Sequence, residues 1–256
     1  MEIIIGNHRD DLNKKVYEII KTTIDSNPDS NLGLPTGGTP LGLYKIMRED
    51  FARGNLSYKN VSIINLDEYV GISRKDRNSY YQFMKTNLID DLDIKPENFH
   101  IPDGTNVSLE FECKRYEKVL IDKPRDIQVL GIGINGHIGF NEPYTSFNST
   151  TRIVELSSET RLANARFFKS LKDVPTHAIT MGIKNILEAK KIIIMAFGLN
   201  KAQAIADMIE KQPSEICPAS ALKNHQNLVV IIDKEAASKL SKTTMSKANK
   251  GLLAFD

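Results

Sequence analysis

The sequence predicts a three-layer, doubly wound α/β fold with a mostly parallel, Rossmann-like sheet. Short apolar runs rich in β-branched residues alternate with longer amphipathic segments along the whole chain. Several of these runs are apolar without interruption, which is typical of parallel strands covered by helices on both faces. The 256 residues show no internal repeat and no linker that would divide them. A single domain is therefore expected.

The elements follow from the positions of these runs. Six runs predict strands: residues 2–5, 31–34, 61–66, 127–132, 192–197 and 228–232. Residues 178–181 are a further, short candidate. The amphipathic segments predict helices at about residues 10–26, 40–52, 79–90, 108–121, 157–170, 200–211 and 234–241. Residues 239–250 are rich in Lys, Ser and Thr, and they predict a loosely held tail before an apolar patch at residues 252–255.

The composition is that of an ordinary globular protein, with 41% hydrophobic and 26% charged residues. The 34 basic and 32 acidic residues nearly balance, so no general attraction to nucleic acid or to a membrane surface is expected. Cys113 and Cys217 lack ligand-like spacing, which predicts two reduced thiols and neither a disulfide nor a zinc site. The apolar stretch at the start is too short for a signal peptide, and no run approaches the roughly 18 apolar residues of a membrane span. A cytoplasmic location is expected.

In open α/β sheets, ligands bind beyond the carboxyl ends of the strands, so the residues after each strand are the candidates for function. The first such segment reads LPTGGTPLGLY, residues 34–44. Gly37 and Gly38 let the backbone approach a ligand, and the N–H groups of a following helix favour an anion. Thr39 and Pro40 occupy the expected N-cap and first helical positions. The alternative interpretation is a capped turn with no ligand.

The second segment reads VSIINLDEYVG, residues 61–71, and places Asp67 and Glu68 at the end of an apolar strand. Because successive strand side chains point to opposite faces, only one of the two carboxylates is expected to face the pocket. A carboxylate there can abstract a proton if desolvation raises its pKa. The alternative is that Asp67 caps the next segment and Glu68 is solvated.

The third segment reads VLGIGINGHIGFNEP, residues 129–143, and contains a literal GxGxxG. A dinucleotide site needs a helix at this point, but Gly139, Asn141 and Pro143 are poor helix formers, so a nicotinamide cofactor is rejected. The segment instead predicts an exposed loop that presents His137, with Glu142 as a nearby carboxylate. Imidazole is the natural acid or base near neutral pH, and a carboxylate partner fixes its tautomer.

Three later cations are candidates for binding a phosphate: Arg161, Arg166 and Lys201. Arg161 and Arg166 lie in the predicted helix near residues 157–170, and Lys201 follows a strand end. Guanidinium and ammonium groups both bind phosphate, although most surface cations bind nothing specific. The remaining histidines have no comparable setting and are interpreted as structural or surface residues.

Taken together, these segments resemble the glucosamine-6-phosphate deaminase family. The resemblance is carried in order by LPTGGTP, NLDEYVG, SYYQFM, GINGHIGFNEP, TRLANARFF, THAITMG and GLNKAQAI, across roughly residues 31–205. GHIGFNEP combined with LDEYVG is specific to the family, whereas LPTGGTP is shared with wider sugar-phosphate relatives. The family converts glucosamine 6-phosphate and water to fructose 6-phosphate and ammonium in amino-sugar catabolism, and it uses no metal or organic cofactor.

The resemblance also implies a role for each matched residue. Asp67 would move a proton between C2 and C1, and His137, oriented by Glu142, would open the sugar ring. The substrate phosphate would be held by five residues: Gly37, Gly38, Thr39, Arg166 and Lys201. The segment at about residues 157–180 would be a mobile lid that excludes water when it closes.

Two positions depart from the pattern of many family members. Asn135 replaces an aspartate two residues before the catalytic histidine; it can hydrogen-bond but cannot relay a proton. The relay would then rest on His137 and Glu142. Val154 occupies the position of a basic residue in allosterically activated members, so activation by N-acetylglucosamine 6-phosphate is not expected. The family includes monomers and hexamers, and the sequence does not choose between them.

Two other functions are compatible with the predicted fold. A 6-phosphogluconolactonase shares the phosphate loop, but it hydrolyses a lactone and has no need of an enolising carboxylate at Asp67. A sugar-phosphate sensor domain of a transcription regulator binds without catalysis, and it carries a helix-turn-helix module for which the chain has no room before residues 3–5. Fold alone does not separate these functions.

Overall fold

The computed structural model describes residues 1–252, apart from the side chains of Ala163 and of residues 249–252. The strands, in chain order, are β1 (Glu2–Gly6), β2 (Asn31–Leu34), β3 (Ser62–Asn65), β4 (Asp67–Tyr69), β5 (Phe99–His100), β6 (Ile127–Gly131), β7 (Arg152–Glu155), β8 (His177–Thr180), β9 (Ile192–Ala196) and β10 (Leu228–Asp233). The α-helices are α1 (Arg9–Ser26), α2 (Leu41–Ala52), α3 (Tyr80–Asn87), α4 (Leu109–Asp122), α5 (Ser158–Asn164), α6 (Ile183–Leu187), α7 (Ala202–Glu210) and α8 (Lys242–Leu252).

Seven strands form a central sheet in the order β1-β10-β9-β6-β2-β3-β5. Every neighbouring pair in this sheet is parallel. The order reverses direction between β2 and β6, as in a doubly wound sheet. The predicted α/β class and the mostly parallel sheet are confirmed.

Successive residues of the central strands belong to different hydrophobic clusters on the two faces of the sheet. In β9, Ile192 and Ile194 pack into one cluster, whereas Ile193 and Met195 pack into the other. All three isoleucines are fully buried. This two-sided burial explains why the run is apolar without interruption, and it gives the molecule its three layers.

A second, smaller sheet of three antiparallel strands has the order β4-β8-β7. The run predicted as a strand at residues 178–181 forms β8 of this sheet, so its expected place in the parallel sheet was wrong. The chain passes from the central sheet to the smaller one at Leu66, because β3 ends at Asn65 and β4 begins at Asp67. This crossing brings Asp67 to the junction of the two sheets.

The carboxyl-terminal part of the chain differs from the prediction. Residues 234–241 form turns rather than a helix, since the carboxylate of Asp233 accepts the N–H groups of Gly198 and Ala236. The predicted loose tail at residues 239–250 was wrong: α8 packs on β1, with Ala248 buried in the core and Met245 against it. The side chains of the predicted patch at residues 252–255 lie outside the described residues.

The helices of residues 1–252 include none that is long and apolar enough to cross a membrane.

Candidate active site

Four neighbouring strands of the central sheet, β9, β6, β2 and β3, carry the candidate segments at their carboxyl ends. Because these strands are parallel, their carboxyl ends meet along one edge of the sheet. The segments after β2, β3 and β6 were selected from the sequence as separate motifs, and Lys201 follows β9. The topology places all four segments on the same edge.

Asp67 lies at the junction of the two sheets, where it begins β4 and pairs with Thr180 of β8. Its residue is only 6% exposed. A Cβ built on Gly139 would lie 3.4 Å from Asp67 Oδ2, so the carboxyl group faces the loop that carries His137. Burial, together with the negative charge of Glu68, raises the pKa of Asp67 to about 8. A carboxyl group in this state can exchange a proton near neutral pH.

Glu68 points away from that loop and anchors the start of α3. Its carboxylate accepts the backbone N–H groups of Tyr69, Tyr80 and Tyr81 at 2.8–2.9 Å. Burial raises the pKa of Glu68 to about 7, although these three donors oppose the shift. The alternative interpretation of this pair was therefore wrong in both parts: Glu68 is buried, and Glu68, not Asp67, binds the first N–H groups of α3, whose N-cap is Ser79. The strand alternation does separate the two carboxylates.

The loop after β6 holds His137 between glycines. A Cβ built on Gly133 would lie 2.2 Å from His137 Cε1, so the imidazole packs directly on that glycine. The chain then makes a bridge between Ile138 and Asn141 rather than a helix. The rejected dinucleotide motif therefore lacks the helix that such a site requires.

Asn135 connects His137 to Glu142. Its Oδ1 atom lies 2.7 Å from His137 Nδ1, and its Nδ2 group donates to Glu142 Oε2 at 2.8 Å. Glu142 Oε2 itself lies 3.4 Å from His137 Nδ1. With an amide oxygen and a carboxylate on this side, Nδ1 carries the proton and Nε2 is left as the proton acceptor.

The second oxygen of Glu142 is held by the segment that follows β7. Ser157 Oγ donates to Glu142 Oε1 at 3.2 Å, and Thr160 Oγ1 donates to the same oxygen at 2.5 Å. Burial opposes ionisation of this carboxyl group, but His137 and the hydrogen bonds from Thr160 and Asn135 outweigh it. They lower the pKa of Glu142 to about 2. The carboxylate is therefore ionised throughout the neutral range.

The turn after β2 presents bare backbone. Gly37 has a φ of +92°, and a Cβ built on Gly37 or Gly38 would meet no atom within 4 Å. The helix begins at Leu41 with Pro40 as its N-cap and no side-chain cap. The expected cap at Thr39 was therefore wrong. Because Pro40 takes that position, the Thr39 hydroxyl stays free of the helix, and it lies 4.0 Å from the Cβ position of Gly131 at the end of β6.

The structure brings two of the three candidate cations together. Arg166 lies in the 3₁₀ turn Ala165–Phe167 after α5, with its guanidinium over the Phe167 ring at 4.7 Å. Burial and the positive charge of Arg166 lower the pKa of Lys201. Arg161 instead donates to the carbonyl groups of Leu171 and Val174, so it stabilises its own segment.

Comparison with known proteins identifies the family. Residues 7–231 match the family described as glucosamine-6-phosphate isomerases/6-phosphogluconolactonase. The chain belongs to this family. Among its relatives is the glucosamine-6-phosphate deaminase of Thermoanaerobacter sp. (strain X514), which is 48% identical over 240 residues, 93% of this chain and 94% of the relative. The glucosamine-6-phosphate deaminase of Bacillus cereus (strain B4264) is 46% identical over 238 residues, 93% of this chain and 88% of the relative.

Solved structures of other proteins share the fold of this chain. A monomeric glucosamine-6-phosphate deaminase matches with a TM-score of 0.91 and 45% identity, covering 93% of this chain and all of the other (100%). A 6-phosphogluconolactonase from Leishmania guyanensis matches with a TM-score of 0.74 and 19% identity, covering 94% of this chain and 98% of the other. At that identity the second match shows a common fold and no more.

Sequence reasoning missed several residues that surround the site of this family member. Ser157 and Thr160 contact Glu142, and Asn164 lies near the hydroxyl group of Tyr69, the second residue after Asp67. One signal for them was available: Ser157 is an N-cap that accepts the N–H of Thr160, and its spacing from Thr160 and Asn164 places all three on one side of a helix. Nothing in the sequence indicates which partners that side meets.

Proposed function

We propose that this chain is a glucosamine-6-phosphate deaminase, which converts α-D-glucosamine 6-phosphate and water to D-fructose 6-phosphate and ammonium. One observation carries the proposal. A buried carboxyl group, Asp67, with its pKa raised to about 8, faces a loop in which His137 is paired with an ionised Glu142. Ring opening followed by enolisation needs both groups, a neutral imidazole and a separate base for a carbon acid.

The substrate phosphate is held, in this proposal, by the turn after β2 and by two cations. The open space beside Gly37 and Gly38 allows phosphate oxygens to approach their backbone, and Thr39 adds a free hydroxyl. Arg166 and Lys201 add positive charge. Their mutual repulsion, which contributes to the lowered pKa of Lys201, is relieved when a dianion binds between them.

Ring opening is assigned to His137. Its Nε2 atom takes the proton from the C1 hydroxyl group and delivers it to the ring oxygen, which breaks the bond between C1 and that oxygen and leaves an aldehyde. Asn135 and Glu142 keep the proton on Nδ1 and stabilise the imidazolium that forms in between. Asn135 cannot itself relay a proton, so the relay in this proposal rests on His137 and Glu142.

Enolisation is assigned to Asp67. The C1 aldehyde acidifies the C2 proton, which Asp67 removes while a proton of the C2 ammonium group passes to the C1 oxygen, and this gives an enediol-type intermediate bearing the amino group. Return of that proton to C1 leaves an iminium ion at C2. Water adds to C2, its two protons pass to the nitrogen, and ammonium leaves, which gives the ketose. The reaction is a sequence of proton transfers, one addition and one elimination, so the proposal includes no metal or organic cofactor.

The secondary structure bears on which residues of the predicted lid, 157–180, are expected to move. Residues 177–180, the last part of the segment expected to move, form β8, which pairs with β4 on one side and β7 on the other. We therefore assign the moving part to residues 157–176, which include α5 and Arg166. Closure of this part over the substrate would complete the phosphate site and exclude water.

Location and assembly belong to the proposal as well. An enzyme of amino-sugar catabolism acts in the cytoplasm, where its phosphorylated substrate is made. We propose a monomer, since the solved relative with 45% identity is described as monomeric. Val154, which packs beside the cluster around Tyr69 and Phe140, provides no basic group for an allosteric phosphate. Light scattering of the purified chain distinguishes a monomer from a hexamer.

The test of the proposed function follows ammonia and fructose 6-phosphate together after glucosamine 6-phosphate is added to the purified protein. A parallel reaction contains 6-phosphogluconolactone, with its spontaneous hydrolysis measured in buffer alone. The proposal predicts equimolar ammonia and ketose and no acceleration of lactone loss. Lactone hydrolysis without ammonia would instead identify a lactonase, and binding of either compound without turnover would identify a sensor.

A further inference from the structure

The segment that begins α5 contacts Glu142, the partner of His137, through the carboxylate oxygen that does not face His137. Glu142 Oε2 is occupied by Asn135 and His137, whereas Oε1 receives the hydroxyl groups of Ser157 and Thr160. The Glu142 carboxylate is therefore held by the loop after β6 through one oxygen and by the start of α5 through the other. Its orientation depends on both.

Thr160 is the more buried of the two hydroxyl donors to Glu142 Oε1, because Ser157 is partly exposed. Thr160 is 7% exposed, so water does not readily replace its hydroxyl group. Ser157 has a second task as the N-cap that accepts the N–H of Thr160. A hydrogen bond from a buried hydroxyl to a carboxylate is among the strong ones in proteins.

The same side of α5 also touches the strand that carries Asp67. Asn164, four residues after Thr160, lies near the Tyr69 hydroxyl group, and Phe168, directly after the 3₁₀ turn Ala165–Phe167, packs edge-on against the Tyr69 ring at 5.9 Å. In this structure, the segment that carries Arg166 therefore contacts both Glu142 and the strand that carries Asp67. Thr160 and Asn164 are four residues apart and lie on one face of α5, which is therefore turned toward both Glu142 and Tyr69.

We propose that Thr160 is a positioning residue whose hydroxyl group holds Glu142 in the orientation that His137 requires, so that ring opening is coupled to the docking of α5. The proposal deepens the proposed function and rests on it. Without the Thr160 hydroxyl, the carboxylate turns about its Cγ–Cδ bond, and its contact with Asn135 and His137 loosens. Chemistry then slows while the phosphate site stays intact.

Few charged groups compete for Glu142. On the loop after β6, the titratable group next to Glu142 is His137. From β7, Arg152 donates to Asn141 and Thr145 instead. From α5, the two contacts are hydroxyl groups that do not titrate in the neutral range. A change in how His137 and Glu142 act together can therefore be followed through Thr160 without altering the charge of the site.

The experiment compares Thr160→Val, which keeps the shape, with Thr160→Ser, which keeps the hydroxyl group. Ser158→Ala is the matched control, since Ser158 is an exposed residue of the same helix. We expect Thr160→Val to lower kcat at least roughly tenfold, the usual consequence of losing a hydrogen bond to a charged group. Thr160→Ser should recover most of that loss, and Ser158→Ala should match the wild type. Binding of 2-amino-2-deoxyglucitol 6-phosphate, an acyclic analogue that needs no ring opening, should be unchanged in all three.

A double-mutant cycle separates positioning from a structural role. If Thr160 acts through Glu142, Thr160→Val causes little further loss of kcat in a Glu142→Gln background. Equal losses in both backgrounds, or a Thr160→Val enzyme with wild-type kcat, would overturn the inference. Weaker analogue binding with a lowered melting temperature would also overturn it, because α5 would then have lost its structure. A wild-type protein that releases no ammonia would instead refute the proposed function itself.

Discussion

The imidazole ring of His137 packs directly against Gly133: a Cβ on this glycine would lie 2.2 Å from the imidazole carbon Cε1 and 2.3 Å from Nδ1. No side chain can be accommodated there unless the imidazole moves. The glycine is therefore explained by the close approach of the ring and not by a special backbone angle, since its φ is not positive. The GxGxxG pattern that resembles a nucleotide motif has this different cause.

Substituting Gly133 with Ala should therefore displace His137 and reduce turnover strongly. We expect kcat with glucosamine 6-phosphate to fall by about 100-fold or more, because general acid–base catalysis contributes about that factor and depends on geometry. The measurement is steady-state ammonia release. The control is binding of the acyclic alditol phosphate, which should persist. Turnover near the wild-type rate would show that the ring position is not critical.

Gly38→Ala tests the phosphate turn without disturbing the fold. A Cβ at Gly38 meets no protein atom within 4 Å, and Gly38, unlike Gly37, does not have a positive φ. The melting temperature should therefore be unchanged. The added methyl group would occupy space that the phosphate needs, so KM should rise roughly tenfold or more with a smaller change in kcat. An unchanged KM would mean that the phosphate binds elsewhere.

The pH dependence of kcat/KM should respond to Glu68. Asp67 must be deprotonated to act as a base, and its pKa is raised to about 8 by burial and by the charge of Glu68. Activity should therefore rise with pH through that region. Glu68→Gln removes the negative neighbour, which lowers the pKa of Asp67 and moves the acid limb of the profile to lower pH.

The control for this shift is Glu97→Gln, which changes an exposed glutamate distant in sequence from Asp67. Its pH profile should coincide with that of the wild type. Ionisation of the substrate affects all three enzymes equally, so the comparison isolates the protein group. Because Glu68 also anchors α3, melting curves must show that the variant is folded. An acid limb that stays in place or moves upward would contradict the assignment.

Asp67 should also make stability depend on pH. The folded protein keeps this carboxyl group protonated up to about pH 8, whereas an unfolded aspartic acid ionises near 3.8. Between these values the folded state binds more protons, so the contribution of Asp67 to stability is complete below about pH 4 and is lost as pH rises through 8. Asp67→Asn removes this loss. The variant should melt at a higher temperature than the wild type at pH 9, by an amount that corresponds to a few kcal/mol, and the difference should shrink toward pH 5.

Asp25→Asn is the control for the stability measurement, since Asp25 lies exposed on α1. It should follow the wild type at every pH. If Asp67→Asn melts at or below the wild-type temperature at pH 9, the carboxyl group is not held protonated by burial. A gain in stability together with a loss of activity would identify Asp67 as a residue kept for chemistry at a cost to the fold.

The central sheet was predictable because its strands are buried on both faces. Residues 31–34 and the start of β9 at Ile192 coincide with the apolar runs. The smaller sheet was harder to predict. Its strands have three or four residues, and β4 continues directly from the apolar run of β3, so no local pattern marks the crossing at Leu66. The crossing is fixed by pairing with β8, more than 100 residues later in the chain.

Helix α8 shows the opposite limit. Its sequence is dominated by Lys, Ser and Thr, and so few apolar side chains give no reason to expect a docked helix. Met245 and Ala248, three residues apart, pack against the core. Packing against β1 therefore outweighs local propensity here. Composition alone led to the expectation of a loose tail.

The candidate site was predictable as far as its residues lie within contiguous motifs at strand ends. His137, Asn135 and Glu142 fall within eight residues of sequence, so their proximity is local. Thr160 is different, because its contact with Glu142 spans 18 residues and depends on how β7 returns the chain to the site. Sequence patterns identify groups that can perform chemistry, but they do not show which side chains hold those groups in place.

The most direct test of the proposed mechanism is turnover of glucosamine 6-phosphate by the wild type and by Asp67→Asn, measured as ammonia and fructose 6-phosphate at pH 8. The variant keeps the shape of the side chain and the phosphate site, but it has no base for the C2 proton. We predict equimolar products from the wild type, a loss of at least about 100-fold in the variant, and unchanged binding of the acyclic alditol phosphate. Comparable turnover by the two proteins would contradict the assignment of Asp67, and with it the proposed mechanism.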